Sequence, residues 1–251
     1  MSRRALVLTE LGLTPLWVRR CPAIAALETD SVQGATTQDL PPLPKAQALP
    51  ADNDSVDIGA MNWQQLKSSV AACTSCVLHK QRHQAVFGVG DEQAEWLFVG
   101  EGPGAEEDAR GEPFVGQAGR LLDNMLAAIG LKRGENVYIA NIVKCRPPGN
   151  RNPEPPEANA CQPYLARQIA LIQPRLIIAL GKVSAQNLLG TEATIASLRG
   201  RMHAYRGTPL IVTYHPAYLL RNLTDKAKAW EDLCLAVDTM KALKHDASTP
   251  N

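Results

Sequence analysis

The sequence has almost no net charge and few aromatic residues. Its 26 Lys and Arg against 25 Asp and Glu give a formal net charge of +1, and aromatic residues make up 5%. The strong basic excess that is common in nucleic-acid binders is therefore absent, so any such contact must come from local clusters. The candidate clusters are Lys144, Arg146 and Arg151; Arg199 and Arg201; and Arg221, Lys226 and Lys228. Taken alone, each cluster is equally typical of solvated surface.

Long apolar runs and dense cysteines are also missing. No stretch approaches the roughly 20 apolar residues of a membrane span. The apolar run that begins at Ala5 is interrupted by Glu10, without a convincing cleavage site. Six cysteines in 251 residues do not indicate a disulfide-dense secreted scaffold. We expect a cytoplasmic monomer with no membrane segment, in which free thiols are available to bind metal.

The chain divides by composition into three parts. Residues 1–60 read as an N-terminal extension and flexible linker, residues 61–245 as the main domain, and residues 246–251 as a tail. A short helix is predicted from Leu6 to Trp17. It either docks on the protein's own core or recruits a protein partner, and the sequence leaves both readings open.

From Met61 onward, apolar strands alternate with amphipathic helices. Strands are predicted at 96–99, 137–140 and 176–180, with two more at 202–205 and 210–214, and the main helices at 63–72, 117–129, 157–172, 182–189 and 227–243. Uniformly apolar strands indicate a sheet that is covered on both faces. We predict an α/β fold with a mostly parallel central sheet of about four strands, flanked by helices on both faces, in a single domain.

Four cysteines are candidate metal ligands. Cys73 and Cys76 form a short chelating pair, whereas Cys145 and Cys161 form a looser pair downstream. Four thiolates bind either zinc or an iron–sulfur cluster, and the loose second pair leans only slightly towards a cluster. The alternative is that Cys145 and Cys161 are ordinary buried residues.

Three loops that follow predicted strands carry unusual chemistry. The first runs through Gly100-Glu-Gly-Pro-Gly104 to Pro113-Phe-Val-Gly116, the second from Asn141 to Arg151, and the third from His215 to Arg221. Ligands of such folds bind beyond the carboxyl ends of strands. An asparagine amide there can read a base edge, and a histidine can donate to a developing oxyanion. Leu219, Leu220 and Arg221 suit an apolar wedge beside a phosphate contact.

Together, these motifs resemble the family 4 uracil-DNA glycosylases. The resemblance rests on Cys73-x-x-Cys76, the three loops with Cys145 embedded in the second, and Cys161, in that order, and it covers about residues 61–245. It implies a [4Fe–4S] cluster on Cys73, Cys76, Cys145 and Cys161, and uracil-containing DNA as the substrate.

The resemblance also implies a role for each site residue. Phe114 would stack on a flipped uracil, Asn141 would read its edge, and His215 would bond to its O2 oxygen. Asn150 would be a further pocket contact, Glu101, Gly102 and Gly104 would shape the pocket floor, and Glu107 would exclude thymine by crowding C5. No general base is obvious, because glycine stands at position 102, and we count Glu101 with Asn141 and His215 as the catalytic set.

The function expected from this resemblance is hydrolysis of the N-glycosidic bond of uracil in DNA, which leaves an abasic site for base excision repair. The alternative is a DNA-binding iron–sulfur protein without catalysis, in which the cluster responds to oxidants. A pure binder need not keep both Asn141 and His215, which favours the enzyme.

Overall fold

A computed structural model describes residues 57–248, with side chains described as far as residue 245. The predicted helix at 6–17 and the linker up to residue 56 lie outside the described residues. Within them, six strands form one sheet in the order β1-β3-β2-β4-β6-β5. The strands are β1 (Val89–Gly90), β2 (Trp96–Gly100), β3 (Val137–Asn141), β4 (Leu176–Leu180), β5 (Met202–Tyr205) and β6 (Thr208–Thr213).

The sheet is mixed, which corrects the prediction of a mostly parallel sheet of about four strands. The four central strands β3, β2, β4 and β6 run parallel, whereas β1 and β5 pair antiparallel at the two edges. The β1 strand has two residues, too few to produce a pattern in the sequence. The edge at β5 is a hairpin partner of β6, joined to it by Arg206 and Gly207, which both have positive φ.

Helices cover both faces of the sheet. They are α1 (Trp63–Ala72), α2 (Ala105–Arg110), α3 (Gln117–Ala128), α4 (Pro155–Ile172), α5 (Lys182–Leu189), α6 (Ile195–Leu198), α7 (Pro216–Leu219) and α8 (Lys226–Ser248). Short 3-10 helices lie at Ile58–Ala60, Val77–Lys80, Pro148–Asn150 and Leu223–Asp225. The predicted boundaries of α1 and α5 are confirmed.

Alternate residues of each central strand pack against different helices. On one face, Leu97 and Val99 join a core that contains Leu165 and Ile169 of α4. On the other face, Trp96 and Phe98 pack with residues of α3 and α8, including Leu122, Leu126, Ala236 and Met240. Both faces of these strands are therefore buried, which explains why their sequences show no alternation of polar and apolar residues.

The order in which strands are added to the sheet reverses next to β2. From β2 the chain moves to β3 on one side, and from β4 it moves to β6 on the other. The crevice between β2 and β4 is a topological switch point, where open α/β sheets bind ligands. The three chemically unusual loops follow β2, β3 and β6, so the fold brings them to this crevice.

Packing and helical structure continue on both sides of residues 61–245. Ile58 packs against the buried cluster that includes Met61 and Leu66, and α8 continues to Ser248. None of the helices in residues 57–248 combines the length and apolar character that crossing a membrane requires.

Candidate active site

A cavity of about 690 Å³ opens at the carboxyl ends of the parallel strands. This volume suits a small organic ligand. Most of the predicted site residues line it: Glu101, Gly102, Gly104, Glu107, Phe114, Asn141, Asn150, His215 and Arg221. The structure therefore brings together residues from three loops that are far apart in the sequence.

Asn141 is the last residue of β3 and is 2% exposed. Its Oδ1 oxygen is buried and has no hydrogen-bond partner within residues 57–248. A buried acceptor without a partner is uncommon and costs stability, so it needs a reason. Because the side chain lines the cavity, a ligand with an N–H group would supply the missing donor.

Phe114 forms an aromatic wall beside His215. The two ring centroids are 5.4 Å apart. Phe114 is buried and has a φ of +55°, which is an unfavourable backbone region for an aromatic residue. Gly100 faces this ring, and a Cβ atom at Gly100 would lie 2.6 Å from Phe114 Cζ and overlap Asn141 Oδ1. Glycine at position 100 therefore lets the ring and the amide approach one another.

His215 precedes α7 at the end of β6. The backbone N–H of Ala217 donates to its Nδ1 atom at 3.1 Å, which leaves the proton of the neutral ring on Nε2. Burial, together with the nearby Arg221 charge, lowers the pKa of His215 to about 4. The site thus holds a neutral imidazole that can donate one hydrogen bond from Nε2.

Among the carboxyl groups of the pocket wall, Glu101 has the pKa that is shifted most. Burial raises its pKa to about 7. The next residue, Gly102, faces Val143, and a Cβ atom at position 102 would lie 2.7 Å from Val143 Cγ2. A larger residue at 102 would therefore require Val143 to move. Glu101 is the acid of this loop segment whose pKa is perturbed.

Glu107 is held in place by backbone amides. Its Oε2 atom accepts from the N–H of Gly104 at 3.1 Å, and its Oε1 atom accepts from the N–H groups of Val115 and Gly116, both at 3.0 Å. These three bonds fix the carboxylate in the cavity wall and join the two ends of the first loop.

Arg151 and Glu157 hold the second loop. Arg151 donates to both carboxylate oxygens of Glu157 at 2.8 and 2.7 Å, and Glu157 is almost fully buried. A bidentate pair of this kind fixes orientation as well as distance. Asn150, which has a φ of +56°, lies at the exposed mouth and accepts from Arg146 Nε at 2.7 Å.

Comparison with known proteins decides the family. The family model for the uracil DNA glycosylase superfamily matches residues 87–234, which is more than half of the chain. The chain belongs to the uracil DNA glycosylase superfamily. The matched residues contain all three pocket loops, together with Cys145 and Cys161.

Within the superfamily, the type-4 members are similar over most of their length. The chain is 48% identical over 159 residues to the type-4 uracil-DNA glycosylase of Archaeoglobus fulgidus, covering 60% of this chain and 79% of that protein. It is 43% identical over 183 residues to the type-4 enzyme of Pyrobaculum aerophilum, covering 70% and 93%. The type-5 uracil-DNA glycosylase of Thermus thermophilus is 32% identical over 153 residues, covering 52% and 68%. The predicted family 4 assignment is confirmed.

In the third loop, two of the three residues that were predicted to contact DNA are exposed. Leu219 is 1% exposed and packs with Met125, Tyr214 and Leu233, so its assignment as a DNA contact is wrong. The turn of α7 directs it inward. Leu220 is 40% exposed, and Arg221 is exposed and lines the cavity, so both remain candidates for DNA contact.

Two basic residues that were candidates for DNA contact instead form hydrogen bonds inside the protein. Arg199 donates to Asp232 Oδ2 at 3.0 Å and is mostly buried. Lys144 is 1% exposed, and its Nζ atom donates to the backbone carbonyl of Asn141 at 2.9 Å. Burial lowers the pKa of Lys144 to about 8. Neither residue is available to a phosphate.

Lys144 instead connects the pocket to the cysteines. Its backbone N–H donates to Cys161 Sγ at 3.3 Å, while its ammonium group supports the carbonyl of Asn141. This role was not predictable from the sequence, because the side chain turns back over three residues of its own loop. Arg133, which bonds to the carbonyl of Phe114, was missed because nothing in its own turn indicates a target so far along the chain.

The four predicted cysteine ligands line one small cavity behind the pocket. It is bordered by Cys73, Cys76, Cys145 and Cys161, together with Arg82, Lys144 and Tyr164. Burial, together with the charges of ionised Cys145 and Cys73, raises the pKa of Cys161 to about 11 against an opposing effect of Lys144. Arg82 Nη1 donates to Cys145 Sγ at 3.0 Å.

These thiols fit a group that carries positive charge at its centre. They are close enough to oppose one another's ionisation, so a cationic core would allow all four to become thiolates. In the part of the chain that is described, however, no three His, Cys, Asp or Glu side chains are arranged to hold a single metal ion. Cys234 stands apart from this cavity, and Cys21 lies outside the described residues.

Proposed function

We propose that this protein is a DNA repair glycosylase that hydrolyses the N-glycosidic bond of uracil in DNA and releases free uracil. The observation that carries the proposal is the buried, unpartnered Oδ1 atom of Asn141 in a cavity that also contains Phe114 and His215. The curated relatives with the same loops are named uracil-DNA glycosylases, which supports the same reaction here.

The amide of Asn141 selects the base. Uracil presents an N3–H donor beside the O4 acceptor, which matches the acceptor and donors of an amide. Cytosine presents an N3 acceptor beside an amino donor. Its acceptor would therefore face the Asn141 oxygen, and its donor would face the Asn141 nitrogen. Because Oδ1 has no other partner, the wrong base leaves it unpaired, and such mismatches discriminate strongly.

The first loop shapes the rest of the base pocket. The ring of Phe114 stacks on the flipped base, and Glu107 stands against C5, where thymine carries its methyl group. The three backbone amides that bind Glu107 prevent the carboxylate from moving aside. Extruding the base from a duplex costs a few kcal/mol, so single-stranded DNA avoids part of this cost. Leu220 and Arg221 at the rim contact the DNA next to the extruded base.

Catalysis rests on stabilising the departing uracil. Negative charge develops at O2 as the glycosidic bond breaks, and His215 Nε2–H donates to that oxygen. Removing one such donor costs about 100- to 1000-fold in rate. Ionised Glu101 faces the positive charge that develops on the sugar and orients the attacking water.

The second cavity is proposed to hold a [4Fe–4S] cluster on Cys73, Cys76, Cys145 and Cys161. The cluster would supply a covalent tie between the end of α1, the second loop and α4 rather than a step in bond breaking, because base hydrolysis transfers no electron. Four cysteine thiols that remain reduced are consistent with a cytoplasmic location. Iron and sulfide analysis of anaerobically purified protein tests this assignment, and a stoichiometric content of zinc without iron would refute it.

The function is tested with a uracil-containing oligonucleotide, followed by alkali cleavage at abasic sites. After incubation with wild type, alkali should cleave the strand only where uracil stood. Asn141→Ala and His215→Ala should each reduce the rate of uracil release at least 100-fold. Asn187→Ala is a control, because that side chain is exposed on α5 and lies outside the pocket lining. DNA binding without base release by iron-loaded wild type would instead favour a redox-responsive binding protein.

A further inference from the structure

Phe114 adopts a backbone conformation that an aromatic residue does not choose on its own. Its φ of +55° lies in the left-handed region, where a Cβ atom crowds the carbonyl group. Such residues persist only where their surroundings hold them. The question is therefore which groups hold Phe114, since its ring forms one wall of the uracil pocket.

Arg133 holds the carbonyl groups before and at the ring. Its Nη1 atom donates to the Pro113 carbonyl at 2.9 Å, and its Nη2 atom donates to the Phe114 carbonyl at 2.8 Å. The remaining Nε donor bonds to Asp123 on α3 at 2.9 Å, which orients the guanidinium plane. The planar fork of arginine is suited to two acceptors at once.

The turn that carries Arg133 is itself well defined. Glu135 N–H donates to the Lys132 carbonyl at 3.1 Å, and Gly134 between them has a φ of +81°. Gly119 on α3 completes the arrangement, because any Cβ atom there would overlap the Phe114 carbonyl oxygen. The carbonyl therefore approaches α3 closely and meets the guanidinium group.

Glu107 holds the next two residues, and it binds their backbone N–H groups rather than their carbonyl groups. It accepts from the N–H groups of Val115 and Gly116, directly after the two carbonyls that Arg133 binds. One backbone group in each of the four consecutive residues 113–116 is thus bonded to either Arg133 or Glu107. The result is a rigid segment, 113–116, with the Phe114 ring projecting towards His215.

We propose that Arg133 is a positioning residue for uracil excision, which fixes the Phe114 ring before the base enters the pocket. The proposal rests on the proposed function for its catalytic consequence. Arg133 does not line the cavity, so it acts through the ring and not on the base. Without the fork, segment 113–116 relaxes towards ordinary φ values, and the ring must be reordered each time a base binds.

A double-mutant cycle in the full-length protein separates this role from a general effect on folding. Single-turnover excision is measured for wild type, Arg133→Lys, Phe114→Ala and the double variant. Arg133→Lys keeps the charge but cannot bind both carbonyls, so we expect at least a tenfold loss of rate. In the Phe114→Ala background, the same change should have less than a twofold effect. Equal losses in both backgrounds, or no loss in either, would overturn the proposal.

Two further measurements keep the outcome interpretable. Arg120→Ala, an exposed arginine on α3, should leave both rate and melting temperature unchanged. Hydrogen exchange of the Val115 and Gly116 amides should accelerate at least tenfold in Arg133→Lys, and unchanged exchange would refute the clamp itself. If wild type releases no uracil, the proposed function fails together with the effect of Arg133 on excision, whereas the exchange result still decides whether Arg133 holds the segment.

Discussion

The protonation state of His215 is the most sharply testable feature of the pocket. Burial and Arg221 lower its pKa from 6.5 to about 4, against a smaller opposing effect of Glu107. At pH 6, an ordinary histidine would be about three-quarters protonated, whereas His215 would be only about 1% protonated. The ring should therefore remain a neutral Nε2–H donor throughout the physiological range, in agreement with the bond from Ala217 N–H to Nδ1.

The same shift makes folding stability depend on pH. Because the folded pKa is below the unfolded one, the unfolded chain binds more protons between pH 6.5 and pH 4. The contribution of His215 is thus fully present above pH 6.5 and is lost as the pH falls through 4. The difference between pKa values of 6.5 and about 4 corresponds to about 3 kcal/mol of stability, and partial solvent access reduces this contribution.

Nuclear magnetic resonance of protein labelled at histidine tests this directly. The His215 signals are assigned by their loss in His215→Gln, and their shifts are followed from pH 8 to pH 4. We expect the pattern of a neutral ring with its proton on Nε2 and no titration above pH 5. In urea titrations, His215→Gln should lose less stability than wild type between pH 6.5 and pH 4.5. A midpoint at or above 6.5 for His215 would refute the reasoning.

Two further predictions concern groups around the same pocket. Glu101→Gln should remove the rise in kcat/KM that ionisation of Glu101 produces near pH 7, and a limb that persists in the variant would assign it to another group. Lys144→Met should leave the Asn141 carbonyl without its buried donor, lowering the single-turnover excision rate about tenfold or more. Lys241→Met, at an exposed position on α8 outside the candidate DNA-contact clusters, is the control for Lys144 and should retain full activity.

The regular elements were predictable because local chemistry decides them. The helix from Trp63 to Ala72 begins at Asn62, whose side chain and that of Gln65 cap each other's backbone. The predicted end of α3 near Gly130 is likewise confirmed by the φ of +75° at that residue. The three pocket loops were found because polar residues that follow apolar strands meet at one edge of a parallel sheet.

What could not be predicted depends on how side chains fold back on distant backbone. Lys144 lies in a basic loop, and its burial is decided by a carbonyl three residues earlier and by the packing around Cys161. Arg133 reaches backbone about 20 positions away, and nothing in its own turn indicates that target. The direction of Leu219 and Leu220 depends on where the α7 turn meets α3 and α8, which two adjacent leucines do not specify.

The unpartnered Asn141 oxygen has a consequence for the end of the reaction cycle. In the proposed reaction, the ring of Phe114, the amide of Asn141 and the imidazole of His215 all contact the base, and none of these contacts depends on the sugar. Breaking the glycosidic bond therefore leaves every one of them intact, and free uracil remains a ligand of the pocket. Turnover then depends on how quickly uracil departs and Asn141 Oδ1 returns to its unpaired state, so slow product release is built into selective recognition.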